Sequence, residues 1–242
     1  MSKSILIIGA SSDLAISCAK QFADNGYDLQ LAGRDIDKIK DSYAEFNYKN
    51  ISINFCKLDI LDHKSFKKFI NELPEIPTIV LSAVGMLGNQ SDNEKNINDS
   101  LEVLNSNFIG PSIFIGELAN AFELRGYGTI IGISSIAGVR GRGKNYIYGS
   151  AKAGFTSYLS GLRNRLNKSN VHVLSVIPGY IDTKMIKDMN IPKFLLTSPD
   201  KISKKIFSSM NKNIIYGSFF WMVVSKLLLL IPEFIFKKLK LI

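Results

Sequence analysis

The richest chemical pairing in the chain is Tyr148-Gly149-Ser150-Ala151-Lys152, a tyrosine with a lysine four positions on. Four positions is about one helical turn, so both side chains fall on the same face. A free phenol titrates near about 10, too high to exchange protons efficiently at neutral pH. A neighbouring ammonium favours the phenolate and is expected to pull the Tyr148 pKa down. Ser135, thirteen positions earlier, can bond a substrate oxygen and stabilise charge that develops on it. Other acid–base and metal chemistries are poorly provided for. The two histidines, His63 and His172, form no HExxH, and no GxSxG elbow exists, which excludes a zincin and a Ser-His-Asp hydrolase. Cys18 and Cys56 form no CxxC, so a disulfide scaffold, a cysteine zinc site and a thioredoxin-like motif are excluded, and no metal is expected.

These residues must be positioned by a fold, and the hydropathy pattern indicates which. Short apolar, β-branched runs at Ile5–Ile8, Asp28–Ala32, Ile51–Phe55, Thr78–Leu81, Thr129–Ile133 and Val171–Ile177 read as strands. Between them lie helical patterns at Leu14–Ala23, Asp37–Phe46, Lys64–Leu73, Ile97–Leu124 and Tyr148–Leu166. Strands alternating with helices of this length imply right-handed βαβ units and a parallel sheet. Runs such as Ile5-Leu6-Ile7-Ile8 are apolar on both faces, as a sheet covered on both sides requires. The expected class is α/β, a Rossmann-type doubly wound sheet in a single domain. At 242 residues, 46% of them hydrophobic, the chain can bury one large core.

Residues 1–217 are expected to form that domain, and residues 218–242 an apolar, basic extension. The extension reads Phe219-Phe220-Trp221-Met222-Val223-Val224-Ser225-Lys226, then four leucines, Ile231 and Pro232, and ends in a stretch containing Lys237, Lys238 and Lys240. The apolar run is shorter than the roughly 20 residues a spanning helix needs. It is expected to lie on an anionic membrane surface or in a homo-oligomer interface. The formal net charge of +9 suits anionic lipid or a phosphorylated substrate better than nucleic acid, for which no recognition motif appears. No signal peptide is read at the N-terminus, so a cytoplasmic location is expected.

Further residues join the pair. Gly9-Ala10-Ser11-Ser12-Asp13-Leu14-Ala15 follows the first strand and opens a helix, with Ser12 or Asp13 as its N-cap. Such a turn can seat a pyrophosphate on backbone N–H groups. Asn107 lies on the long helix before the fifth strand, and Pro178-Gly179 follows the sixth, with Thr183 beyond. This set, in this order and spacing, resembles the short-chain dehydrogenase/reductase family from residue 4 to about residue 217. The resemblance implies reduction of a ketone, or oxidation of a secondary alcohol, with a nicotinamide cofactor. Ser135, Tyr148, Lys152 and Asn107 would be the catalytic set, Lys152 also holding the nicotinamide ribose and Asn107 a relay water. Cofactor contacts would come from Gly9, Ser11, Ser12, Asp13 and Leu14, from Ala83 and Gly85, and from Pro178, Gly179, Ile181 and Thr183. Asp59 matches the family's adenine-contacting acid.

The family's glycines are replaced at Asp13 and Ala15, and Ser82-Ala83-Val84-Gly85 stands for its Asn-x-Ala-Gly. Asp13 is expected to turn away from the phosphates. Gly33 occupies the place of the acid that marks NAD-preferring members. Arg34 follows it, either as a solvated loop cation or as partner of a 2′-phosphate, so NADP(H) is favoured and NAD(H) is the alternative. Arg140, Arg142 and Lys144 lie between Ser135 and Tyr148, where they favour an anionic substrate. Met86 and Leu87 are expected on its apolar side, with residues Lys184 to Leu196 as a lid. Within the family, Asp13, Gly85-Met86-Leu87-Gly88, the arginine-bearing loop and Ile231–Leu239 resemble the decaprenyl-phosphoryl 2-keto-erythro-pentofuranose reductases. A polyprenyl-phosphate-linked or other phosphorylated sugar is then the expected substrate. The alternatives are a 3-oxoacyl-carrier-protein reductase and a non-catalytic dinucleotide-binding sensor or scaffold.

Overall fold

The computed structural model of the protein describes residues 3–239. Six strands, β1 (Ser4–Ile8), β2 (Asp28–Gly33), β3 (Ile53–Lys57), β4 (Ile79–Ser82), β5 (Gly128–Ile133) and β6 (Val171–Ile177), alternate with helices. These are α1 (Asp13–Ala23), α2 (Ile36–Ser42), α3 (Phe66–Asn71), α4 (Gln90–Asn93), α5 (Ile97–Leu104), α6 (Gly110–Arg125) and α7 (Tyr146–Leu166). Beyond β6 come β7 (Tyr180–Ile181), β8 (Leu196–Thr197), α8 (Pro199–Ser208), β9 (Ile214–Tyr216), α9 (Phe219–Leu230) and α10 (Glu233–Phe236). The main sheet is parallel throughout, in the order β3-β2-β1-β4-β5-β6-β9. It is a single-domain Rossmann-type fold, as the alternation of runs requires.

The period of two in β1 divides the core. Ile5 and Ile7 face α1 and α8, among Phe22, Leu31, Leu174 and Ile206. Leu6 and Ile8 face α3, α6 and α7, among Phe66, Phe114, Phe122 and Leu159. Helices on both faces leave one opening, at the carboxyl ends of the strands. The strand order reverses between β1 and β4, and ligands of open α/β sheets bind at such a point.

Several boundaries differ from the sequence expectation. The third strand is Ile53–Lys57 rather than Ile51–Phe55, because this sheet-edge strand is only half-buried and its apolar pattern is weak. The second helix stops at Ser42, and Tyr43 and Phe46 pack on the core as a turn. Helix α3 is short, preceded by a 3₁₀ turn at His63–Ser65. The stretch read as one helix from Ile97 to Leu124 is broken by a π turn, Asn105–Ile109, in which Gly110 N–H reaches Asn105 O. Helix α7 begins two residues early, at Tyr146. The short strands β7, β8 and β9 carried too few patterned residues to be read, and helix α8 went unread although Ser198-Pro199 opens it and Ile202 and Ile206 mark its buried face.

Candidate active site

A cavity of about 350 Å³ opens at the reversal point, between the first turn, the ends of β4 and β5, α7, and the segment after β6. The π turn places Asn107 just behind this wall, against Gly85. One extra residue in the helical ladder re-aims a side chain, and such bulges concentrate at functional sites. Asn107 is fully buried, and its Nδ2 donates to Met86 O at 2.7 Å and Val103 O at 2.8 Å. Its Oδ1 has no partner. A Cβ built on Gly85 would lie 2.8 Å from that oxygen and 3.2 Å from Lys152 Nζ. A side chain there would press on both atoms, so glycine lets Asn107 Oδ1 and Lys152 Nζ lie close behind this part of the cavity wall.

Lys152 is buried and donates to Ile133 O at 3.1 Å and Val84 O at 3.4 Å. Burial without an acidic partner lowers its pKa to about 8. Its ammonium sits 5.8 Å from the centre of the Tyr148 ring. The expected fall of the Tyr148 pKa does not occur in this geometry. Burial pushes the phenol up to about 12, opposed by its hydrogen bond with Ser135 and by the charge of Arg142. Lys152 spends its donors on backbone carbonyls, so Arg142 is the cation that acts on the phenol. Ser135 caps a 3₁₀ turn, accepting Ala137 N–H at 3.1 Å. Neighbouring Ser134 also borders the cavity, but its hydroxyl is engaged by Lys152 O at 3.0 Å and by Thr156, which braces α7 on β5.

At the other end, Ser12 is the N-cap of α1, accepting Ala15 N–H, and Asp13 is not. The Asp13 carboxylate instead accepts Lys184 N–H at 2.8 Å and faces its ammonium at 3.8 Å. It turns from the helix toward the lid segment. Gly9 has φ +78°, and a Cβ there would meet Val84 N at 2.9 Å, so the first turn can only pass beneath β4 as glycine. Ser11, Ser12, Asp13, Leu14, Ala83, Gly85, Pro178, Gly179, Ile181 and Thr183 all line the cavity, and Gly9 lies outside its wall.

Other expected residues lie elsewhere. Arg34 is exposed just past β2 and is not in the cavity wall, whereas Lys38 and Ser42 of α2 are. Sequence reasoning missed them, though the signal is present: Asp35 caps α2 by accepting Lys38 N–H, which sets Lys38 in the first turn beyond β2. Asp59 is exposed and accepts Leu61 N–H at 3.0 Å, an ordinary turn role. Met86 contributes its carbonyl to Asn107, and Leu87 lines the cavity. Of the three cations before Tyr148, Arg142 lines the cavity; Lys144 is exposed outside its wall. Arg140 points away. Its guanidinium donates to Leu228 O and Ile231 O, pairs with Glu233 at 2.6 Å and stacks 3.8 Å from the Phe236 ring centre. It is bound to the C-terminal helices, not available to a substrate. Asn145, unremarked in the sequence, lines the cavity with its Oδ1 buried and unpartnered.

A strand–turn–helix cradle facing a Ser–Tyr–Lys–Asn cluster is the layout of a dinucleotide-dependent oxidoreductase. The short chain dehydrogenase family profile matches residues 3–193, and the chain belongs to that family. An uncharacterized oxidoreductase of Mycobacterium tuberculosis is 26% identical over 242 residues, covering 97% of this chain and 96% of its own. Sulfoacetaldehyde reductase 2 of Chromohalobacter salexigens is 28% identical over 189 residues, with 76% and 75% covered. In fold, the chain resembles a short chain dehydrogenase of Burkholderia cenocepacia crystallised with NADP, at a TM-score of 0.84, 15% identity, and 100% and 98% coverage. A short-chain dehydrogenase of Sphingobium yanoikuyae in complex with NADPH gives 0.80 at 20% identity, covering 96% of this chain and 97% of that one. The protein is therefore an oxidoreductase of the short-chain dehydrogenase type.

Proposed function

We propose that the protein is an NADPH-dependent reductase of a ketone borne on a hydroxylated, anionic substrate, of which a lipid-linked or phosphorylated keto-sugar is the favoured class. The observation that carries the reductase reading is the convergence of Ser135, Tyr148 and Lys152 on one cavity wall, with Asn107 buried behind Gly85 of the same wall. The residues present fit a dinucleotide. Gly9 and Gly85 keep two close approaches open, the N-terminus of α1 offers unpaired N–H groups, and Lys38 stands at the adenosine end. Bound there, the cofactor would supply the hydride.

The chain's own residues supply the rest. Tyr148 keeps its proton at neutral pH because burial disfavours the phenolate, which suits donation to a nascent alkoxide. Ser135 bonds the same oxygen. Lys152 faces Asn107 Oδ1 across Gly85, a gap in which a water can be held and a proton returned to the phenol's side. Support for the substrate class is threefold. Arg142 presents a cation in the wall, Asn145 Oδ1 awaits a donor such as a sugar hydroxyl, and Met185 and Met189 give the mouth an apolar rim. The test is NADPH oxidation against a panel holding a phosphorylated keto-sugar, its short-prenyl-phosphate form, a neutral keto-sugar and an acetoacetyl thioester. Turnover of the anionic keto-sugars at least tenfold above the others supports the reading. Preference for the thioester assigns the carrier-protein alternative, and tight NADPH binding without turnover of any ketone leaves a sensor.

A further inference from the structure

Helix α9 departs from the pattern of a surface helix. Its inner side is satisfied: Trp221 and Ser225 are buried, and the indole ring covers Gly179, where a Cβ would come within 2.0 Å of it. An ordinary outer side would be polar. Here it shows Phe219, Phe220, Leu227, Leu229 and Leu230, with fractional exposures from 48% to 76%, and Lys226 as its single charge. The surface continues through Phe234 and Ile235 of α10. So extensive an exposed apolar face marks an interaction surface.

Its charge selects the occupant. Residues 218–242 hold four lysines, Lys226, Lys237, Lys238 and Lys240, against one acid, Glu233. Lys240 lies outside the described residues, and the other three are exposed. Glu233 is already neutralised by Arg140. Two copies meeting through this face in a symmetric dimer would bring lysine rims together with no acid to offset them. An anionic bilayer complements both the apolar face and the rim. The twelve residues of α9 span about 18 Å, against about 30 Å of hydrocarbon, so the helix can lie in the interface but not cross it. Among the described residues no helix is long and apolar enough to span a membrane.

The tail is also fastened to the rim of the cavity. Trp221 Nε1 donates to Leu195 O in the lid, next to the exposed Phe194, and Arg140, on the loop that bears Arg142 and Asn145, holds Leu228 and Ile231. We infer that the outer face of α9 and α10, with Phe194, seats the protein on an anionic membrane surface and brings the cavity mouth to the lipid. This surface stands whether or not the substrate is a lipid-linked sugar.

The test uses the full chain and no substrate. It is cosedimented with phosphatidylcholine vesicles and with vesicles containing 30% phosphatidylglycerol, at low and high salt. Binding to the anionic vesicles at least tenfold above the neutral ones, and reduced by salt, is expected. A Phe219→Ser, Leu230→Ser double variant and a Lys226→Glu, Lys237→Glu, Lys238→Glu triple variant should each lose at least tenfold in partition. Unchanged Trp221 emission verifies that the tail is still docked on Gly179. No binding, equal binding to both vesicles, or full binding by the folded triple variant overturns the inference. A dimer that ignores vesicles and dissociates in the double variant replaces lipid with a second copy. Turnover of a water-soluble keto-sugar, measured apart, tells failure of this surface from failure of the reductase reading.

Discussion

Asp13 and Lys184, separated by 171 positions, join the first turn of the fold to its lid through a 2.8 Å hydrogen bond and a 3.8 Å ion pair. The contact explains how a carboxylate can stand where the dinucleotide's phosphates are expected: its charge is directed at Lys184 and partly offset. Removing it should have two opposing effects. Asp13→Ala frees the lid, yet removes an anion from the phosphate end. The carboxylate is part-exposed, so its repulsion is screened. We expect NADPH to bind two- to tenfold more tightly in the variant, read by fluorescence titration, with the gain shrinking as salt rises. Weaker binding at all salt concentrations would show that the latch, not the charge, dominates.

Tyr148→Phe should abolish ketone reduction, by about a thousandfold or more, while NADPH affinity stays within a few-fold. In the proposed reduction the phenol donates the proton, and its ring contributes no charge to cofactor binding. Single-turnover kinetics with saturating NADPH provide the measurement. Near-normal turnover would remove Tyr148 from the mechanism.

Lys152 carries a cost. Its folded pKa of about 8 lies below its ordinary 10.5, so below pH 8 the folded state holds a charge it disfavours. The unfolded chain binds more protons between pH 8 and 10.5, and stability therefore rises with pH across that window. The lowering from 10.5 to about 8 corresponds to roughly 3 kcal/mol at most, less what the bonds to Ile133 O and Val84 O return. Lys152→Met should thus be about 1–2 kcal/mol more stable than the parent at pH 7 and no more stable at pH 10.5, while losing activity. Urea denaturation at the two pH values tests this; a destabilised variant at pH 7 would contradict it.

Cofactor choice should depend on two cations rather than one. Lys38 lines the cavity, at the end proposed for the adenosine, and Arg34 lies exposed four residues before it. A charged hydrogen bond to a 2′-phosphate contributes about 1.5–3 kcal/mol, or tenfold and more in affinity. Lys38→Ala and Arg34→Ala should each narrow the NADPH-over-NADH ratio, with Lys38→Ala the larger effect. Equal affinities for the two cofactors in the parent protein would remove the basis for both.

The parts whose information is local were legible in the order of residues alone. Apolar runs covered on both faces specified β1, β2, β4, β5 and β6, and the helical spacing of Tyr148 and Lys152 specified that they share a face. Ser135, Gly85 and Asn107 were legible because a family signature ties residue type to order and spacing. Matters that depend on what a side chain meets were settled by packing between distant segments. Arg140 and Arg142 are two positions apart and alike in charge, yet one clasps the C-terminal helices and the other borders the cavity. The difference arises because free carbonyls at Leu228 and Ile231, and the acid Glu233, lie on one side of the loop, some 90 residues away in sequence. The pKa of Tyr148 went the same way. Spacing places a cation one turn off, but burial and the direction in which Lys152 spends its hydrogen bonds set the phenol's proton, and both are properties of the packed interior.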